Sequence, residues 1–451
     1  MTAPPDQNSL HRTAKYFMDD GRAESAEAAL ALLGSFGLTV RVGGEIAGSA
    51  EHQTALLTLV NVTSRTLLGG VEVVGLPDVP SASPLAPDAS LRSAVEDLGG
   101  KVVAQERPDW PRAVIGTVDH LDCSRPCWQL TWEGWRGGVI PWRENGRLGE
   151  SASLAFAPSL AAAVCGAEVF AFHAKDHPMA GHRSSGLSLW RPGTDWRRSD
   201  PSEPAVAYLP SQLWIIGLGN LGQAFAWVLG SLPYPADRKP LLVLQDFDLV
   251  TESNVSTSLL TTPGAVGRKK ARIVAEWAEA RGFVTVIEER RFGPWIRRTD
   301  DEPAAALCGV DNALARSRLE GAGFGLIVEA GLGAGPDGFR NISQHVFPGS
   351  RPAAEMWSDT AGTSPDVQDM PAYRAMKRSG IDQCGMARLA ARTVAVPFVG
   401  LTAACLVVSE LLRRLHGGQA LELASLSLLS VEDVETVPMD ASPYEFGFVP
   451  A

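Results

Sequence analysis

Gly217-Leu-Gly219-Asn-Leu-Gly222 follows the apolar run Leu213–Ile216 and opens a helix-prone stretch from Leu221 to Leu229. Glycines at this spacing permit a tight turn and leave backbone N–H groups free at a helix start, where phosphate is attracted. The pattern serves dinucleotide and mononucleotide sites alike. Gln245-Asp246-Phe-Asp248 closes the next apolar run, Leu241–Leu244. A carboxylate at that place can accept hydrogen bonds from ribose hydroxyls. A nicotinamide enzyme and an ATP enzyme both satisfy these two features. Farther along lie Lys270, Asp311 and the thiols of Cys308, Cys384 and Cys405; three more cysteines, at 123, 127 and 165, precede the glycine turn. Cys123 and Cys127 could form one edge of a metal site, but no second pair with ligand spacing accompanies them, so ordinary thiols are the plainer account.

The elements that must hold these residues alternate. After the strand at Gln212–Ile216 and the helix from Leu221 come a strand at Leu241–Leu244, an amphipathic helix over Arg268–Arg281, and strands at Val284–Ile287 and Leu326–Glu329. Strands separated by helices at this spacing predict a doubly wound, Rossmann-like, mostly parallel α/β sheet. The first half is a weaker version without a glycine phosphate loop: a helix at Ala26–Leu33 and strands at Val40–Val42, Leu56–Val60, Val71–Gly75 and Val102–Ala104. An internal echo links the halves. Ala157-Pro-Ser-Leu-Ala-Ala-Ala-Val-Cys-Gly-Ala-Glu168 and Val396-Pro-Phe-Val-Gly-Leu-Thr-Ala-Ala-Cys-Leu-Val-Val-Ser-Glu410 are each a proline followed by a small-residue helix that ends in Glu and apolar residues. The expected organisation is therefore a degenerate domain over 1–175, a breaker-rich linker over 176–204, and an intact domain over 205–451 with a loop-rich crossover at 349–386.

The order Asp246-Phe-Asp248-Leu-Val250, then Ser253-Asn254, then Gly267-Arg-Lys-Lys270-Ala271, then Asp311-Asn312 and Arg316 resembles the ThiF/MoeB/ubiquitin-activating family of adenylating enzymes. The likeness covers most of residues 210–415. It implies a site for ATP and Mg2+ built from Gly217, Gly219, Gly222, Asp246, Asp248, Asn254, Arg268, Lys270, Asp311 and Asn312. Elementary chemistry agrees in outline. Cleavage at the α-phosphate must neutralise a departing pyrophosphate, so the site needs cations and a metal. Lys270, near a helix start, can reach phosphate oxygens, although Arg268 or Lys269 could be the working cation. Asp311 is the natural magnesium ligand, because magnesium takes one or two carboxylates together with phosphates and water. Asn254 could hydrogen-bond a phosphate or a ribose.

Two departures from the family pattern stand out. Thr257 occupies the position of a family arginine, so triphosphate stabilisation must come from elsewhere: Arg268, Lys269, or an arginine of the first half or of a second subunit, with Arg12 one candidate. The family's paired Cys-x-x-Cys zinc ligands are also missing, and no structural zinc is expected. Cys384, ahead of the long helix-prone run ending at Leu415, is similar in placement to the cysteine that takes the acyl group as a thioester. A helix N-terminus favours its thiolate. Cys308 and Cys405 read as packed thiols.

The resemblance implies adenylation of the C-terminal carboxylate of a ubiquitin-like protein, thioester formation on Cys384 and transfer to a conjugating-enzyme-like protein, in a homodimer. A degenerate half paired with an active one is similar to bacterial activating enzymes found in ubiquitin-like conjugation operons linked to phage defence. The rival expectations are activation of a sulfur carrier or peptide precursor that ends at the adenylate, a nicotinamide-dependent oxidoreductase, and a non-catalytic scaffold.

Composition bounds these readings. Hydrophobic residues are 45% and charged residues 20% of 451, the balance of a globular protein of about two domains. A net charge of -11 without a sustained basic patch argues against nucleic acid. No basic-then-apolar leader opens the chain, and the apolar run Val394–Val408 is broken by Pro397 and Gly400. No membrane partner is therefore expected, and the cytoplasm is the expected location.

Overall fold

Two sets of strands recur with the same connectivity in a computed structural model that describes residues 6–119, 121, 124–152, 154–357, 369–378, 383–440 and 443–451. The first set comprises β1 (Gly37–Val42), β2 (Gly70–Val74), β3 (Gly100–Val103), β4 (Arg112–Ile115), β5 (Cys127–Glu133), β6 (Arg136–Pro141) and β7 (Ser185–Ser188). They form a sheet of order β3-β2-β1-β4-β5-β6-β7, parallel through β5 and antiparallel beyond it. After the short β8 (Tyr208–Pro210) the pattern repeats: β9 (Gln212–Ile216), β10 (Leu241–Gln245), β11 (Val284–Glu288), β12 (Ala305–Cys308), β13 (Leu326–Leu332), β14 (Asn341–Phe347), β15 (Leu421–Ser427) and β16 (Ser430–Pro438). Their order is β11-β10-β9-β12-β13-β14-β15-β16, again parallel through the fifth strand, and β17 (Phe448–Pro450) pairs with β8. Two doubly wound α/β units, the second a near-repeat of the first, are the architecture that the strand–helix alternation predicts.

The echoing segments are both long helices, Ala157–Ala174 and Pro397–Leu415, each with proline in its first turn, where the fixed φ suits a helix start. They pack against each other and against the helices that follow the first strand of each sheet, Ala50–Ser64 and Asn220–Gly230. Phe170 meets Phe398 at 5.6 Å between ring centroids. Close approach here needs small residues: a Cβ added at Gly400 would stand 2.3 Å from Asn220 Oδ1. Polar groups cross the same junction. Trp227 Nε1 donates to the Thr58 hydroxyl, which is paired with that of Ser159, each at 3.1 Å. Arg65 donates to the carbonyls of Val255, Leu259 and Thr261. Glu168 and Glu410 are both buried and both held by arginines, Arg183 for the first and Arg413 and Arg414 for the second. One continuous hydrophobic core runs through both halves. The Ala157–Ala174 helix is long and apolar enough to cross a bilayer, yet nearly all of it lies inside this core.

Several expectations are corrected. Leu56–Val60 is not a strand but the middle of the Ala50–Ser64 helix, which Ser49 caps by accepting from His52 N. A short apolar run does not by itself distinguish buried helix from strand. The stretch expected as a linker, 176–204, contributes β7 to the first sheet. The helix expected over 268–281 spans Lys270–Glu279. Within the expected crossover, Ala353–Met356 and Pro371–Arg378 are helical, whereas 358–368 and 379–382 fall outside the described residues.

Candidate functional site

The turn after β9 sits where the second sheet reverses its winding, between β9 and β12, the place where doubly wound sheets receive ligands. Gly217 adopts a positive φ of 83°, and its N–H donates to the Gln245 carbonyl at 2.9 Å. A Cβ on Gly222 would lie 1.9 Å from the Gly217 carbonyl oxygen, so only glycine lets the helix start this close to the strand. A Cβ on Gly219 would meet nothing within 4 Å, which leaves the backbone there open to a guest. Asp246 secures the turn: one carboxylate oxygen accepts from Leu218 N at 2.7 Å and the other from Asp248 N at 2.8 Å. Burial raises the pKa of Asp246, while Lys270 and these two N–H groups oppose the rise. Its first task is thus structural, and the ribose contact expected of it would have to use its remaining lone pairs.

Past the end of β10 lies a pocket of about 460 Å³. Asp248, Asn254 and Lys270 of the expected set line it, together with Asn8, Phe247, Leu249, Thr251, Ser253, Lys269 and Arg392. The three glycines, Asp246, Asp311 and Asn312 lie outside its lining. Lys270, the first residue of its helix, donates to Asp248 Oδ2 at 2.9 Å. Lys269 Nζ donates to the Phe247 carbonyl at 2.6 Å. Asn254 Oδ1 accepts from Thr251 N at 2.9 Å and so closes a capping box at the Glu252–Val255 helix. Arg268 is not a wall of the pocket; its guanidinium pairs with exposed Glu276 on the helix that follows. Asn312 caps the Ala313–Arg316 helix by accepting from Ala315 N at 3.1 Å. Arg316 is spent on the carbonyls of Val310 and Ala330 and on buried Glu329. Asp311 itself is exposed beyond β12, free to meet a cation.

Sequence reasoning missed Asn8 and Arg392, and it named Arg12 only as one option. The N-terminal segment crosses onto the second half: Ser253 N donates to the Asn8 carbonyl at 2.7 Å, and Arg12 N donates to the Ser256 hydroxyl at 3.1 Å. Arg12 then grips Thr393 through its carbonyl and hydroxyl, both at 2.7 Å. Enclosure by protein and the like charge of Arg392 lower the pKa of Arg12 to about 10, with Asp311 and Asp19 pulling the other way. Two guanidiniums and the Asp311 carboxylate therefore share one neighbourhood. Thr257, where the family has arginine, is buried and brings no charge.

Cys384 is the second residue of the Gln383–Ala390 helix and is exposed. The other described cysteines, 127, 165, 308 and 405, are buried, and burial raises the pKa of Cys308 to about 12. Cys123 lies outside the described residues. The Pro371–Arg378 helix of the crossover docks on the N-terminal segment through Tyr373, whose hydroxyl donates to Asp19 at 2.6 Å beside Lys15. Among the described residues no three His, Cys, Asp or Glu converge as a metal cluster.

The first sheet has a crevice of about 490 Å³ lined by Glu45, His52, Thr117, Arg147, Leu148, Gly149 and Glu150. Glu45 follows β1 and Thr117 follows β4, so this crevice occupies the place in the first sheet that the glycine turn occupies in the second. Its charges are already matched. Glu45 accepts from Thr117 N at 2.9 Å and from its hydroxyl at 2.5 Å, Arg147 forms two bonds to Glu150, and His52 Nε2 is 2.8 Å from Glu150. Burial pushes the Glu45 pKa up, but the Thr117 bonds and the charge of Arg147 outweigh it and hold it at about 2.

Fold and site together define a duplicated, doubly wound α/β protein with one matched crevice and one open, cation-walled crevice. Two family models match the chain, the BilD N-terminal domain over residues 37–189 and the BilD C-terminal domain over 209–418. Bacterial E1-like protein BilD of Collimonas sp. (strain OK412) is 58% identical over 447 residues, 99% of this chain and 97% of that protein. The chain belongs to the BilD family of bacterial E1-like proteins. Among solved structures, E. coli MccB is similar over 52% of this chain and 63% of its own, at 12% identity and a TM-score of 0.34. E. coli tRNA N6-threonylcarbamoyladenosine dehydratase, TcdA, is similar over 45% and 85%, at 15% identity and a TM-score of 0.29. Both structural likenesses are loose.

Proposed function

We propose that this protein uses ATP to adenylate the C-terminal carboxylate of a ubiquitin-like protein and then takes the acyl group onto Cys384. The observation that carries the reading is the cation-walled pocket past the end of β10: Lys269, Lys270 and Arg392 face it, and Asp248 is the only acid among the described residues of its wall. Positive groups fixed around a pocket in this way suit a polyphosphate, whose negative charge grows on the leaving group as the α-phosphate is attacked. Family membership supports the same class of chemistry.

In the first step a carboxylate oxygen of the partner bonds to the α-phosphorus and the bridge to the β-phosphate breaks. Lys270 stabilises the departing pyrophosphate, and the open backbone at Gly219 lets the nucleotide approach the helix start. Exposed Asp311 is the residue that would hold magnesium, which neutralises phosphate charge when bound. In the second step the Cys384 thiolate attacks the acyl carbon, AMP leaves, and a thioester remains for transfer to a conjugating-enzyme-like protein. The test is magnesium-dependent ATP–pyrophosphate exchange with a small partner protein ending in glycine. Exchange with a thioester that Cys384→Ala abolishes is the expected result. Exchange without any thioester would move the protein to activation that ends at the adenylate. No exchange, with nicotinamide dinucleotide bound instead, would end the reading.

A further inference from the structure

Arg392 stands apart from every other cation of the pocket. Lys270 is paired with Asp248 and Lys269 with the Phe247 carbonyl, while Arg12, outside the lining, is bound to Thr393. The Arg392 side chain has no hydrogen-bond or ion-pair partner among the described residues, although it forms part of the pocket wall and is only partly exposed. The charged neighbour with which it interacts is Arg12, of like sign. A guanidinium kept in a recess next to another, with its donors unused, is an arrangement that an anion relieves. Its backbone is also held in place, because Arg12 clasps the adjacent Thr393 at both carbonyl and hydroxyl. The same short stretch begins at the Gln383–Ala390 helix that carries Cys384.

We propose that Arg392 grips the β- and γ-phosphates of the nucleotide and that this grip fixes the helix bearing Cys384. The inference rests on the nucleotide reading given above and adds to it a positioning residue, supplied by the segment ahead of the Pro397–Leu415 helix rather than by the glycine turn. Two consequences distinguish it from a merely structural role. The contribution of Arg392 must depend on the phosphates beyond the first, so ATP and inorganic pyrophosphate feel it and AMP does not. Cys384 must also sense the occupied pocket through Arg392.

The experiment measures binding of Mg-ATP, AMP and inorganic pyrophosphate to the full chain and to Arg392→Gln and Arg392→Lys. The rate at which N-ethylmaleimide alkylates Cys384 is followed by peptide mapping with and without ligand. Arg392→Gln is expected to weaken ATP and pyrophosphate by about tenfold to a hundredfold, the range for a hydrogen bond to a charged group, and to leave AMP unchanged. Arg392→Lys should recover part of the loss, which also shows that the fold is intact. Saturating ATP should change Cys384 alkylation in the natural protein and not in Arg392→Gln. Equal loss for ATP and AMP, or no loss for either, overturns the inference while leaving nucleotide binding in place. A natural protein that binds no ATP at all would bring down the functional reading and this inference with it.

Discussion

Two crevices of this molecule enclose similar volumes, about 460 and about 490 Å³, in two sheets with the same strand order. One lies past the end of β10 and the other between the ends of β1 and β4. They differ in how charge is settled. In the first half, Glu45 sets its own carboxylate at the mouth of β1 and β4, and Arg147, His52 and Glu150 satisfy one another. In the second half, lysines and an arginine face a pocket that has one acid. Topology supplies the place for a ligand, and the balance of side-chain charge decides whether the chain fills that place itself. A half whose crevice charges are satisfied internally can therefore keep its architecture and core without a guest.

The comparison can be broken in several ways. The largest effect is expected at Cys384. If the reactive thiol belongs to the second half alone, Cys384→Ala removes the thioester completely and spares pyrophosphate exchange, while Cys165→Ala does not affect the thioester. A gel shift lost on thiol treatment reads the outcome. Next, Lys270→Ala should lower exchange by about a hundredfold to a thousandfold, the range for removing one fixed electrostatic donor. Arg147→Met in the matched crevice should leave exchange unchanged and cost about 1–3 kcal/mol of stability in denaturant unfolding. Exchange lost through Arg147 would mean that the first crevice takes part in the chemistry.

The glycines sharpen the contrast further. Gly222→Ala forces a Cβ against the Gly217 carbonyl and should abolish ATP binding and lower stability by about 2 kcal/mol or more, whereas Gly44→Ala meets open space and should be neutral. The smallest effect concerns Glu45. Its pKa is held at about 2, below the ordinary 4.5, so its stabilising contribution is present above the ordinary value and is lost as the pH falls from about 4.5 through about 2. Because the side chain is about one-third exposed, solvent screens the effect. Glu45→Gln should flatten only that acid limb of an unfolding titration.

What the sequence made legible was local. The glycine turn, Asp246, Asp248, Asn254 and Lys270 fall within one continuous stretch, 217–270, of alternating helix and strand whose spacing is readable along the chain. Asn8 and Arg392 line the pocket, and Arg12 binds Thr393 next to it, from parts of the chain more than a hundred residues from Lys270, and no periodicity marks such a meeting. Arg268 and Asn312 show the converse limit. Each has the right type and place in the motif, but an available partner, Glu276 for one and the Ala315 N–H for the other, takes up its side chain. The doubled fold was legible through its alternation and through the proline-led helix echo. The antiparallel strands β14 to β16 went unseen because their runs mix polar and charged residues among the apolar ones and look like loop.

The pocket wall joins Asn8, near one end of the chain, to Arg392, far along it. During synthesis the first of these leaves the ribosome early and must wait for the second. A partly translated molecule lacks a finished wall even after the glycine turn has emerged and folded. If the pocket takes nucleotide as proposed, a nascent chain cannot complete the site until Arg392 has been made.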